Sequence, residues 1–176
     1  TAATAGALAV TTKGDATSVS LMGGTTQAIT DSATTDTLTS VSSYTSSGAL
    51  TVASDALTSL TLDTTGQNAT VTAAAGTRAL TVNVDGVTAG TVTDATATTL
   101  TVNGSGANSS LTAISAAAAT SVTFTGDKTI ASAGETFTAA TAITSTNSSG
   151  VTLGTAIGTA VTYDGSASAG VDTISL

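Results

Sequence analysis

Eight times along this chain a short tract returns in which apolar residues alternate with Thr or Ser, each about 20 residues after the last. The tracts are ATSVSL (16–21), TLTSVSSY (37–44), ALTSLTL (56–62) and RALTVNV (78–84), then TTLTVNG (98–104), ATSVTFTG (119–126), AITS (142–145) and AVTYDG (160–165). Their central apolar residues are Val19, Val41, Leu60, Leu80, Leu100, Val122, Ile143 and Val161. A second series lies halfway between, with the same period. It runs AIT (28–30), ALTV (49–52), ATVT (69–72), GTVT (90–93), SLTAI (110–114), TIA (129–131), VTL (151–153) and TISL (173–176). Its anchors are Ile29, Leu50, Val71, Val92, Leu111, Ile130, Val151 and Ile174. Two interleaved series sharing one period are hard to draw at random from Thr/Ala-rich text.

A period of this length fits one supersecondary unit per repeat that buries its apolar face only by stacking on its neighbours. Strict alternation identifies the unit as short strands, with Val, Leu or Ile turned inward and Thr or Ser outward. A branched Cβ suits extended backbone, and the outward hydroxyl is expected to stay hydrated. Gly, Asn and Asp fall between the tracts, as in GQN (66–68), DG (85–86) and NGSG (103–106), where corners need turn-forming residues. The expected fold is all-β: a parallel β-solenoid of about eight coils, two strands per coil, wound right-handed and leading into a β-roll-like C-terminal end. Eight strand spacings of about 4.8 Å make a rod roughly 38 Å long.

Two alternatives compete. DG and NG between alternating tracts also mark antiparallel hairpins, which would build a sandwich, but hairpins need no long period. AISAAAATS (113–121) has the alanine content of a helical turn. Its Thr and Ser flanks, and its place between two tracts, favour a corner.

Composition narrows the interior and the function. With 2% aromatic residues and no Trp, the core is expected to be narrow and filled by small side chains. There is no Cys for a disulfide framework or thiolate metal site, and no His. Eleven acidic residues against Lys13, Arg78 and Lys128 give a net charge of −8, which repels phosphate backbones and disfavours nucleic acid. No apolar run approaches the roughly 18 residues of a membrane span, so membrane insertion is not expected. The charged residues stand singly between tracts, so no enzymatic activity is expected. Asp63, Asp85 and Asp94 are the acids that neighbouring coils would bring together, although such Asp residues commonly form turns.

The C-terminal stretch YDGSASAGVDTISL (163–176) carries the most specific motif. Set against the nonapeptide G-G-x-G-x-D-x-U-x, ASAGVDTIS (167–175) places Gly170, Asp172 and Ile174 in register, with Ala167 and Ser168 replacing the first two glycines. Here the chain resembles the RTX-type bacterial surface proteins, in particular their Thr/Ala/Ser/Gly-rich S-layer proteins and repeat adhesins. The likeness of style spans the whole chain, and that of motif only its last dozen or so residues. It implies a solenoid segment over 1–160 and, over 161–176, the start of an RTX-like calcium β-roll. It also implies calcium as the bound ion, with Asp164, Gly170 and Asp172 as the candidate metal-site residues. Further implications are type I secretion to the bacterial cell surface and self-association, into a lattice or with neighbouring domains of the same chain. Contact with cell-surface glycan or lipopolysaccharide also follows from the likeness. Thr1 at the start, Met22 as the single methionine, and the want of evident caps lead us to expect an excerpt of a longer chain. The alternative function is an adhesin or biofilm-matrix module with a Thr-rich binding face. A third, ice binding, would use Thr70/Thr72 stacked on Thr91/Thr93.

Overall fold

The computed structural model describes residues 6–158 and 160–175. Among them there is no helix. The strands begin with β1 (Leu8–Thr12), β2 (Ser18–Met22), β3 (Gln27–Asp31), β4 (Ser40–Tyr44), β5 (Leu50–Ala53) and β6 (Ser59–Asp63). They continue with β7 (Ala69–Thr72), β8 (Ala79–Asp85), β9 (Thr91–Asp94), β10 (Thr99–Gly104), β11 (Ser109–Leu111), β12 (Ala113–Ser115) and β13 (Ser121–Gly126). The last are β14 (Ile130–Ser132), β15 (Glu135–Thr136), β16 (Ala142–Ser145), β17 (Val151–Leu153), β18 (Thr162–Asp164) and β19 (Thr173–Ile174).

Their pairings are parallel, between strands of successive coils, as in a β-solenoid of about eight turns. The first tract series forms one sheet, ordered β2-β4-β6-β8-β10-β13-β16-β18. The second series contributes β3, β5, β7, β9 and β12 to a seven-stranded sheet, β1-β3-β5-β7-β9-β12-β15, while its later members TIA, VTL and TISL contribute β14, β17 and β19 elsewhere. From β11 onward a third sheet appears, β11-β14-β17-β19, so the later coils have a face that a two-strand coil lacks. The tract SLTAI marks where this happens. Leu111 and Ile114 are both buried, yet three residues apart they would point to opposite sides of one straight strand. The chain therefore bends at Thr112, between β11 and β12, and both side chains face inward.

Register differs from the tract anchors by two residues at several steps. Leu60 pairs with Val82 rather than Leu80, Ile29 with Val52 rather than Leu50, and Ile143 with Tyr163 rather than Val161. A shift of two leaves every side chain on its own face, which is why alternation alone does not detect it. The Ala-rich stretch forms β12 and then a turn closed by Ala119 N–H donating to Ala116 O at 3.1 Å.

The interior is less uniform than small, similar side chains would make it. Phe124, fully buried, stacks between Val102 and the buried Ser145, so a large residue is accommodated beside a small one. Polar groups also enter. Arg78 and Asp94 form a buried ion pair. Arg78 Nη1 donates to Leu57 O at 3.0 Å, and Asp94 Oδ1 accepts the Thr96 and Ala97 N–H groups at 3.0 and 2.9 Å. Asp31 gathers three N–H groups: Ala33 at 3.2 Å, Thr37 at 2.7 Å and Leu38 at 2.9 Å. Its carboxyl is held below the ordinary value, chiefly by the Leu38 bond, although burial works against this.

Along the entry to the eight-stranded sheet, Thr hydroxyls are not merely hydrated. Thr39 Oγ1 donates to Thr17 O, Thr58 to Thr39 O, Thr98 to Arg78 O, Thr120 to Thr98 O and Thr141 to Thr120 O, at 3.1–3.2 Å. Each bond reaches one coil back. The series skips position 78, where Arg78 turns its side chain into the core instead. These five threonines therefore act as axial ties, in addition to their strand propensity.

Candidate metal centre

The three candidate metal-site residues lie on the last described coil. Tyr163 enters the eight-stranded sheet on β18, paired with Ile143, while Asp164 beside it faces solvent. Asp164 Oδ1 accepts the Ser166 N–H at 2.9 Å. Its carboxyl is held below the ordinary range by the Ser166 hydroxyl and then by that N–H. Asp172 precedes β19 and is half-buried. Its Oδ1 accepts the Val151 N–H at 2.8 Å, and its Oδ2 accepts the Tyr163 phenol at 2.7 Å. Burial, and then donation to Asp172, raise the Tyr163 pKa, so the phenol remains a proton donor through the neutral range.

Gly170 is positioned by packing. A Cβ there would collide with the Gly150 amide and the Ser149 carbonyl carbon of the coil before it. Gly150 in turn has φ +101°, and a Cβ on it would run into Val171 O. The two glycines let consecutive coils touch backbone to backbone.

As a donor set, the corner offers carboxylates that already tie turns and coils together. Asp172 is shared between Val151 and Tyr163, whereas Asp164 is exposed and its bond to Ser166 uses Oδ1. Carboxylate oxygens carry a second lone pair, so Asp164 and Asp172 each keep some acceptor capacity beyond these bonds. Among the described residues no group of three or more Asp and Glu side chains is placed to hold a metal ion.

The acids singled out as a cross-coil group separate into two places. Asp63 and Asp85 stand opposite each other on β6 and β8, where Asp85 Oδ1 accepts the Ala107 N–H at 2.8 Å. Asp94 is on the seven-stranded sheet, committed to Arg78. The Thr columns also differ from expectation: Thr70 pairs with Thr51 and Thr93, not with Thr91. The widest polar face belongs instead to the eight-stranded sheet. There Ser40, Ser59, Thr81, Thr101, Thr123 and Thr144 form one row, and Ser42, Thr61, Asn83, Asn103 and Thr125 form the next. Asn103 Nδ2 donates to Asn83 Oδ1 at 3.0 Å within it.

Sequence reasoning did not find the Arg78–Asp94 pair or the Tyr163–Asp172 bond. The only hint was Arg78 standing at the start of a core tract, where the other members have Thr or Ala. No family model matches the chain, and no curated protein matches it.

Proposed function

We propose that the chain is a structural segment of a bacterial cell-surface layer of the RTX-like kind, exported by type I secretion, self-associating and stabilised by calcium. The observation that supports this best is the continuous parallel stacking of coils into a rod whose broad face carries uncharged Ser, Thr and Asn rows. A rod of stacked coils is a unit that packs side by side or end to end. In this proposal calcium sits near Asp164 and Asp172, with Gly170 keeping the adjoining loop close to the coil before it. There it would neutralise part of the −8 charge that opposes close packing of copies.

The test is a calcium titration followed by melting and by electron microscopy of assemblies. Ordered two-dimensional arrays that form with calcium and dissolve with chelator are expected. If chelation moves neither the melting temperature nor the assembly, calcium is dropped. If no ordered array forms under any condition, the surface-layer function is dropped too. The adhesin reading draws on the same hydroxyl rows, whose repeat suits glycan contact. Retention of the chain on a glycan or lipopolysaccharide column, without array formation, would favour it.

A further inference from the structure

The eight-stranded sheet keeps its charge off its middle. Its acids, Asp63, Asp85 and Asp164, are each the last residue of their strand. From β2 to β16 the two central rows, Ser18 to Thr144 and Ser20 to Thr125, hold only Ser, Thr and Asn. Asp164 continues the first row on β18, so the uncharged face ends at β16. Its two margins differ. At the strand ends Tyr44, Asp63 and Asp85 pair in succession. At the strand starts lie the tied threonines Thr39, Thr58, Thr98, Thr120 and Thr141, which carry no charge.

The seven-stranded sheet makes a poorer contact. Its outward positions include Ala9, Ala28 and Ala53, which offer no hydrogen bond. A cavity lined by Thr70, Thr72, Thr93 and Thr96 also interrupts its surface. A chain of net charge −8 repels its own copies wherever acids meet, and the eight-stranded face avoids this. Hydroxyl and amide groups both donate and accept, so the face is complementary to a copy of itself.

We infer that the eight-stranded sheet is where a second copy of this chain docks, face to face about a two-fold axis along the rod. This rests on the self-association in the proposed function and gives it a surface. With the axis so placed the strands of the two copies run antiparallel, and each acidic margin lies over the partner's threonine margin. An axis along the strands would set the two acidic margins together, where like charges repel. Both rods repeat every 4.8 Å or so, which keeps the rows in step from β2 to β16. Six strand steps span about 29 Å and five residues across span about 16 Å, so each copy covers roughly 450 Å². A total near 900 Å² belongs to weak, transient contacts. Many such contacts repeated through an array hold where one does not.

The test is sedimentation of the whole chain over a wide concentration range, at fixed salt and calcium. Concentration-dependent dimerisation is expected. Thr101 of one copy faces Thr101 of the other at the same height, so Thr101→Lys and Thr101→Glu should each weaken it at least about tenfold. If bulk charge governed association, the lysine would strengthen it instead. An equal mixture of the two variants should restore dimerisation, which also shows that both are folded. Thr51→Lys, on the seven-stranded sheet, should leave association unchanged. The inference is overturned if the chain stays monomeric, if both Thr101 variants associate undiminished, or if Thr101→Lys strengthens association. It is also overturned if a monomer binds a glycan column and Thr101→Lys abolishes that binding. Ordered arrays that persist in both Thr101 variants overturn the inference and leave the surface-layer function standing. Dimers that obey the variants but never form arrays do the reverse.

Discussion

The Arg78–Asp94 pair gives the sharpest test of how this rod is held in register. Asp94 is 1% exposed and lies in the same inward column as Val52 and Val71, which are paired with it in succession. Arg78→Met removes the guanidinium but not the burial of the carboxylate. An uncompensated buried charge costs about 3–5 kcal/mol. Asp94→Val extends the valine column but strands the Arg78 guanidinium, at a similar cost, and forfeits the bonds to Thr96 and Ala97. The double variant has no buried charge, so its cost should be no larger than that of either single variant. That corresponds to a coupling of about 3 kcal/mol. The assay is amide exchange resolved to β6 through β10, because coils of a repeat array open locally. If the two single costs simply add, the pair is not a coupled unit and its assignment as a register pin fails.

Three further outcomes follow from the packing. Phe124→Ala should destabilise the coils around β13 by about 3–5 kcal/mol, since neither Val102 nor Ser145 can grow into the space; local exchange rates report it. Thr120→Val removes one axial hydroxyl bond without changing shape. It should cost about 1 kcal/mol in urea unfolding, with a roughly cumulative loss when Thr98 and Thr141 are replaced as well. Because the folded Asp31 carboxyl lies below its ordinary value of 3.8, its contribution is complete above that pH and is lost as the pH falls through the lower folded value. Asp31→Asn should therefore flatten the acid limb of the stability profile below about pH 4, and an unchanged limb would show that Asp31 is not its source.

Fold class was legible because inward and outward positions alternate and corners carry Gly, Asn and Asp. Exact register was not. A slip of two residues, such as Leu60 onto Val82 instead of Leu80, preserves every inward–outward assignment and is decided by corner lengths. The third sheet was written in the three-residue separation of Leu111 and Ile114, a break in parity that a series anchored on one residue per tract passes over. At the candidate metal corner, Gly170 and Asp172 were named by motif and Asp164 as the nearby second carboxylate; Ser166 is a local turn partner of Asp164, whereas Val151 and Tyr163 reach Asp172 only through the coiling of the chain. Nothing in the sequence around Glu135 indicates that Thr155, twenty residues on, donates its N–H to one of its carboxylate oxygens.

The Thr hydroxyl bonds run parallel to the rod, as do the main-chain bonds between coils, so a pull on the two ends loads the rungs in series. The rung at an end carries the load first, and Thr ties at the corners resist its lifting. Each rung that yields releases one coil of about 21 residues, roughly 70 Å of extended chain in place of about 4.8 Å of rod. Under load such a rod lengthens stepwise, one coil at a time, and the coils not yet lifted keep their shape.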